Sequence, residues 1–223
     1  GDGPTVGEAM SAHRDNDMMS FTGSLRGGSA VMKGSAPTAK KVTLELGGNS
    51  PNIIFADADL EKAVRGGVAH CMENTGQSCN APTRMIVERV VYNEAISIAT
   101  DEAQKTAVGS PRDNGIHIGP LVSQAQYDKV QGLIEIGLAE GARCVAGGSG
   151  RPEGVNRGYF ARPTVFADVS NDMRIAREEV FGPVLAMIPF DDGEEEAIQI
   201  ANQTDYGLAA YLHTSAPEKG NRV

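Results

Sequence analysis

The sequence has little that would take it into a membrane or onto nucleic acid. No segment approaches the roughly 18 apolar residues that a membrane helix needs, and Val184 to Phe190 is among the longest such runs. The chain opens on Gly1-Asp2-Gly3-Pro4 without a basic region followed by an apolar stretch, so no signal peptide is expected. Positive charge is scarce: 20 Lys and Arg against 29 Asp and Glu leave a net charge of -9. Such a balance favours solubility and argues against nucleic acid or an anionic membrane surface as partner. Only three cysteines occur, Cys71, Cys79 and Cys144, without framework spacing. That excludes a disulfide scaffold and fits a reducing compartment, so a cytoplasmic protein is expected. The four histidines, His13, His70, His117 and His213, are scattered without metal-ligand spacing, and no metal site is expected. There is no internal repeat and no low-complexity tract.

What is present is an ordinary globular composition and an alternation of strand and helix signals. The 223 residues suffice for one large domain, or for one domain and part of another. Met18 to Phe21 reads as a short strand stopped by Thr22-Gly23-Ser24. A helix from Leu25 to about Ala36 follows, weakened in propensity by Gly27, Gly28 and Gly34. Val42 to Leu46 and Asn52 to Phe55 are strand-like. Asp57-Ala58-Asp59 then caps a helix from about Leu60 to Asn74, with Ala63, Val64, Gly67, Val68 and Cys71 on one face. Met85 to Val87 reads as a strand, Asn93 to Val108 as a helix, and the polar run from Gly109 to Gly119 as a loop. Ser123 caps a helix to Glu140. Strands follow at Arg143 to Ala146, Thr164 to Phe166 and Val184 to Phe190, then a helix at Glu194 to Asn202 and a strand at Ala209 to Leu212. This order predicts an α/β fold, a largely parallel sheet with flanking helices.

Three features carry possible chemistry. Cys79 sits in Asn74-Thr75-Gly76-Gln77-Ser78-Cys79-Asn80, after a helix and before a strand, where loops expose reactive groups. A thiolate there could attack a carbonyl carbon, although free cysteine is more often buried and inert. Cys71 and Cys144 lie in apolar-periodic segments, where the inert reading wins. Glu45 lies in the strand Thr43-Leu44-Glu45-Leu46, where burial without a partner would be costly. It is either a general base or a hydrogen-bonded structural carboxylate. Ser24 stands at a strand-to-helix turn, as a helix cap or at the edge of a phosphate site.

Taken together, four motifs are specific. Phe21-Thr22-Gly23-Ser24, Leu44-Glu45-Leu46-Gly47-Gly48-Asn49-Ser50-Pro51, Gly76-Gln77-Ser78-Cys79 and Glu178-Glu179-Val180-Phe181-Gly182-Pro183-Val184 occur in this order. They resemble the aldehyde dehydrogenase superfamily, as does the spacing from Glu45 to Cys79. The resemblance implies that residues 1–41 are the C-terminal part of a Rossmann-like dinucleotide-binding domain. Residues 42–223 would then be the catalytic domain without its C-terminal end. Cys79 would be the nucleophile, forming a thiohemiacetal and then a thioester, and Glu45 the base that activates water against it. Gly23 and Ser24 would begin the helix facing the cofactor pyrophosphate. Leu46 would offer its carbonyl to the carboxamide, Glu179 would bond the nicotinamide ribose, Phe181 would pack near the nicotinamide, and Gln126 would be a further cofactor contact.

The cofactor implied is NAD or NADP and the substrate an aldehyde. A glutamate at position 45 favours hydrolysis to a free carboxylic acid over transfer to coenzyme A. The complete protein is expected to be a homo-oligomer, a dimer or tetramer. A chain of this extent by itself is expected to be inactive, because most of the cofactor domain, including an asparagine of the oxyanion hole, would lie upstream. Two rival readings stand beside this one. A catalytically silent relative would be expected to have lost Cys79 or Glu45, and both are present. A Cys–His hydrolase would need a histidine close to the thiol, and no histidine here sits in such a motif.

Overall fold

The computed structural model describes residues 1–191 and 193–223. The chain divides into two compact units, Gly1–Gly47 and Gly48–Val223. In the first, a π-helical turn at Gly3–Gly7 runs into the short helix α1 (Glu8–Ala12). Strand β1 (Met18–Gly23), helix α2 (Leu25–Ser35) and strand β2 (Lys41–Leu46) follow. β1 and β2 pair in parallel, with Phe21 opposite Leu44 and Gly23 opposite Leu46. α2 forms despite its glycines because they serve packing: a Cβ on Gly28 would meet Leu46 Cδ2 at 2.6 Å. The first compact unit ends after β2. Among the described residues β2 pairs with β1 alone, a pairing that local sequence does not display.

The second unit is a six-stranded sheet covered on both faces. Its elements are β3 (Pro51–Ile54), α3 (Leu60–Met72), β4 (Arg84–Glu88), α4 (Arg89–Lys105), α5 (Gln124–Ala139), β5 (Arg143–Ala146), β6 (Thr164–Ala167), α6 (Arg174–Arg177), β7 (Val184–Phe190), α7 (Gly193–Asn202), β8 (Tyr211–His213) and α8 (Pro217–Arg222). The strand order is β5-β6-β7-β4-β3-β8, parallel throughout except for β5 against β6. Successive residues of the central strands face opposite layers, as strand geometry requires. Ile54, Met85, Val87, Leu185 and Met187 pack with α3 and α4. Ile53, Ile86, Ala186 and Ile188 pack with α5, α6 and α7. Covering both faces is why these strands read as continuous apolar runs rather than alternating ones.

The caps hold as the sequence suggests. Asp59 accepts from Lys62 N at 3.2 Å and Ser123 from Gln126 N at 3.2 Å. Of the boundaries that differ, three show why. α4 begins at Arg89, a turn before Asn93; Val90 is exposed and hides the helical period, while Tyr92 is buried with its hydroxyl on Met187 O. β8 begins at Tyr211 because its limits are set by pairing with Asn52, Ile53 and Ile54. α3 stops at Met72, where the chain enters a tight turn at Glu73–Gly76. No helix among the described residues is long and apolar enough to cross a membrane.

Candidate active site

The turn after α3 builds the loop that carries Cys79. Asn74, Thr75 and Gly76 take φ values of 51°, 60° and 70°, three consecutive left-handed residues that reverse the chain away from the helix axis. Backbone of this kind is costly for Asn and Thr, so other contacts must hold it. Thr75 Oγ1 donates to Gly119 O at 3.1 Å, and the side chains of Asn74 and Gln77 each donate to the other's carbonyl. Gln77 Oε1 also accepts from Val122 N at 2.9 Å. At Gly76 only glycine fits, since a Cβ would stand 2.0 Å from Gly182 O. Beyond the turn, Ala81 N donates to Ser78 O at 3.1 Å and Tyr211 OH to Asn80 O at 2.9 Å, so the carbonyls on both sides of Cys79 are tied down. Cys79 itself is half-buried.

The other two thiols differ. Cys71 is wholly buried on α3, its Sγ 3.6 Å from Val184 O, and burial pushes its thiol up to about 12. Cys144, on the edge strand β5, is raised by partial burial.

The segment Glu178–Gly182 enters the same unit from β7's side. Glu179 is half-buried, and its Oε1 accepts from Gly48 N at 3.0 Å. Gly48 also touches the Cys79 segment, since a Cβ there would lie 2.1 Å from Cys79 O. Phe181 is half-buried with φ at 55°. Gln126 Nε2 donates to Val180 O at 3.0 Å and to Phe181 O at 2.8 Å, so its amide is engaged in holding that turn. Lys129 Nζ donates to Glu179 O at 2.7 Å. Cys79, Glu179, Phe181 and Gln126 therefore all belong to the second unit.

Gly23, Ser24, Glu45 and Leu46 belong to the first unit. Ser24 caps α2, its Oγ accepting from Gly27 N at 3.1 Å. The N–H groups of Leu25 and Arg26, in the same first turn, have no intrahelical acceptor. Leu46 ends β2 opposite Gly23. Glu45 is exposed, so the cost of burying a carboxylate without a partner does not arise here. The exposed Lys41, Thr43 and Glu45 share one side of β2, while Val42, Leu44 and Leu46 on the other are half-buried.

The whole of residues 1–223 matches the model of the aldehyde dehydrogenase family. The chain belongs to that family. It is 52% identical over 223 residues to a 3-succinoylsemialdehyde-pyridine dehydrogenase of a Pseudomonas species, covering 100% of this chain and 46% of that protein. Among solved structures, an aldehyde dehydrogenase from Bartonella henselae aligns with a TM-score of 0.97 at 55% identity, over all of this chain and 46% of the other. A mutant of aldehyde dehydrogenase C from Pseudomonas syringae, complexed with NAD+ and octanal, aligns at 0.97 and 48% identity, over all of this chain and 46% of that one. The chain thus spans a little under half the length of the relatives it matches.

Within this aldehyde dehydrogenase chain, sequence reading missed Asn49 and Arg84. Both are buried, Asn49 at 2% and Arg84 at 0% exposure. Among the described residues Arg84 has no carboxylate partner; it donates to Asn49 O, Asn171 Oδ1, Ile200 O and Ala201 O. Desolvation first, and the nearby Arg177 second, pull its guanidinium down to about 10. A signal was available: an arginine opening the apolar strand Arg84-Met85-Ile86-Val87 poses the same burial problem that drew attention to Glu45.

Proposed function

We propose that this chain is the cysteine-bearing part of an NAD(P)-dependent aldehyde dehydrogenase that releases a carboxylic acid. The observation that carries the reading is the Cys79 loop, locked by a left-handed turn, with Gly48 bridging the Cys79 backbone and the Glu179 carboxylate. NAD+ complexes of related enzymes, from Bacillus cereus for one, support the cofactor class. Each unit by itself has donors or acceptors that fit part of a dinucleotide. Glu179 keeps Oε2 to accept from a ribose hydroxyl, and the open first turn of α2 suits a phosphate. The nicotinamide, when bound, supplies the hydride acceptor.

Cys79 Sγ, as thiolate, adds to the aldehyde carbon and holds it as a thiohemiacetal on the protein. After oxidation the same sulfur carries the acyl group as a thioester. Glu45 takes a proton from water, the resulting hydroxide attacks the thioester carbon, and the carboxylic acid leaves as Cys79 is regenerated. Exposure on β2 leaves Glu45 open to water. Gly23 and Ser24 would hold the pyrophosphate, the Leu46 carbonyl would accept from the carboxamide, and Phe181 would pack by the nicotinamide. Gln126, its amide donors on the Val180 and Phe181 carbonyls, steadies that turn and would be a further cofactor contact. Residues 1–41 are the end of the dinucleotide-binding domain and 42–223 most of the catalytic domain of a cytoplasmic homo-oligomer. By itself the 223-residue chain turns over aldehyde negligibly.

The test is Glu45→Gln in the complete enzyme. Because oxidation needs the thiohemiacetal but not activated water, the first turnover should still yield up to about one equivalent of reduced cofactor per site. Steady turnover should fall by roughly 10²–10⁴, the usual worth of a positioned general base. An acyl adduct on Cys79 should appear by mass spectrometry after acid quench. Unchanged steady turnover would remove Glu45 from the mechanism, and a parent enzyme that reduces no cofactor with any aldehyde would overturn the reading as a whole.

A further inference from the structure

Asn49 stands at the meeting point of three segments, and each flanks the proposed site. Its Nδ2 donates to Ala176 O at 2.7 Å, just ahead of Glu179. Its Oδ1 accepts from Thr83 Oγ1 at 2.8 Å, just beyond Cys79. Its main-chain carbonyl accepts from Arg84 Nε at 2.9 Å, and Arg84 is in turn spread over Asn171, Ile200 and Ala201. Both polar atoms of the Asn49 side chain thus bond segments that lead to proposed site residues, Thr83 following Cys79 and Ala176 preceding Glu179. Its neighbour Gly48 makes the two contacts that matter: backbone against Cys79 O, and N–H to Glu179 Oε1.

A polar residue recruited only to satisfy a core would bond whatever carbonyl lay nearest. Asn49 bonds the chain on both sides of the gap that Gly48 spans. Because one planar peptide holds the Gly48 and Asn49 Cα atoms at a fixed distance, moving Asn49 displaces Gly48, and with it the spacing between the Cys79 backbone and the Glu179 carboxylate.

We infer that Asn49 is a positioning residue: held by Thr83, Arg84 and the Ala176 carbonyl, it fixes the Gly48 peptide and so the spacing of Cys79 from the carboxylate that binds the cofactor ribose. The inference rests on the dehydrogenase reading above. Neither Asn49 nor Thr83 touches the reacting atoms; they act through Gly48. A loosened Gly48 peptide weakens dinucleotide binding and frees the Cys79 loop, two effects that a general loss of stability does not produce in molecules that remain folded.

The experiment compares Thr83→Val, Thr83→Ser and Asn49→Ala with the parent in the complete enzyme. Active sites are counted by the first-turnover burst, so that misfolded protein does not enter the result. Thr83→Val removes one buried hydrogen bond at nearly constant shape. It should raise the dissociation constant for NAD(P) by calorimetry, and its KM, about tenfold. It should also speed iodoacetamide labelling of Cys79 in the absence of dinucleotide. Thr83→Ser keeps the hydroxyl and should restore both values, and Asn49→Ala should exceed Thr83→Val if it folds. A lower melting temperature with unchanged dissociation constant and unchanged labelling rate, in an otherwise active background, overturns the positioning role. A parent that never reduces dinucleotide in the presence of aldehydes overturns the dehydrogenase reading, and this inference with it.

Discussion

Cys71 and Cys79 lie on either side of one helix end, and the chain treats them in opposite ways. Cys71 sits on the inner face of α3 with Ala63, Val64, Val68 and Met72, fully buried against the sheet. Desolvation holds it as a neutral thiol well into the alkaline range. Cys79 follows three left-handed residues that carry the chain off that face, and it emerges half-buried between two tethered carbonyls. Residue type is the same in both, so the backbone between them decides which sulfur is available. The apolar period of the helix assigns Cys71 to the core, and its interruption at Asn74–Gly76 assigns Cys79 to the surface of the site.

The largest expected effect separates the two by function. Cys79→Ala in the complete enzyme should bring aldehyde oxidation below detection with little change in melting temperature. Cys71→Ala should keep the turnover per folded molecule and cost about 1–2 kcal/mol, the range for a small cavity in a close-packed core. Parental turnover in Cys79→Ala, measured as cofactor reduction, would break the comparison at its root. Chemical labelling sharpens it further. Under native conditions Cys71 should react with iodoacetamide on the order of 10³-fold more slowly than Cys79, because its exposure requires opening of the core. Peptide mapping over a labelling time course gives the ratio, and equal rates would mean that the Cys79 loop is no more open than α3.

Much of this was legible in the chain, for identifiable reasons. Asp59 and Ser123 announce their helices because a cap is a local interaction spanning three residues. The sheet's two covered faces show as apolar runs at Val184–Phe190 and around Met85. What escaped is short or long-range. α1, α6 and α8 are too brief to display a period. The exposure of Glu45, by contrast, was legible locally, since Lys41, Thr43 and Glu45 alternate with the apolar Val42, Leu44 and Leu46 along β2. Asn49 reaches Ala176, and Arg84 reaches Ala201, across most of the second unit, and partners that far apart leave no trace in spacing. The motifs around Cys79 and Glu179 were readable as motifs; the Gly48 peptide that joins them was not.

The turn between the two cysteines gives the next effect in size. Gly76→Ala places a Cβ against Gly182 O and Pro183 N, both backbone atoms that cannot rotate away, at a φ of 70° that alanine resists. The combined cost should be about 2–4 kcal/mol, as for overpacking added to left-handed strain. Because the strain sits between α3 and the loop, Cys79 labelling should change while Cys71 stays protected. A neutral Gly76→Ala, by urea denaturation, would mean that the close approach to Gly182 relaxes freely.

The smallest effect is the pH dependence that burial of Cys71 imposes. In the unfolded chain this thiol titrates near 9.0, while in the folded protein it is raised to about 12. Below pH 9 both states keep the proton, and the group contributes no pH dependence. Between about 9 and 12 the unfolded chain releases a proton that the folded chain retains, so the unfolded state gains and stability falls as pH rises. The slope from one such group reaches about 1.4 kcal/mol per pH unit at most. Tyr92, also raised to about 12 by burial, pulls the same way and would mask the effect in the parent alone. The difference between the parent and Cys71→Ala isolates it, since Tyr92 is common to both. The parent's advantage in urea unfolding should therefore be constant up to about pH 8.5 and shrink by about 1 kcal/mol between pH 9 and 10. Curves that stay parallel across that interval would mean that Cys71 ionises as readily when folded as when unfolded, and that burial is not what distinguishes it from Cys79.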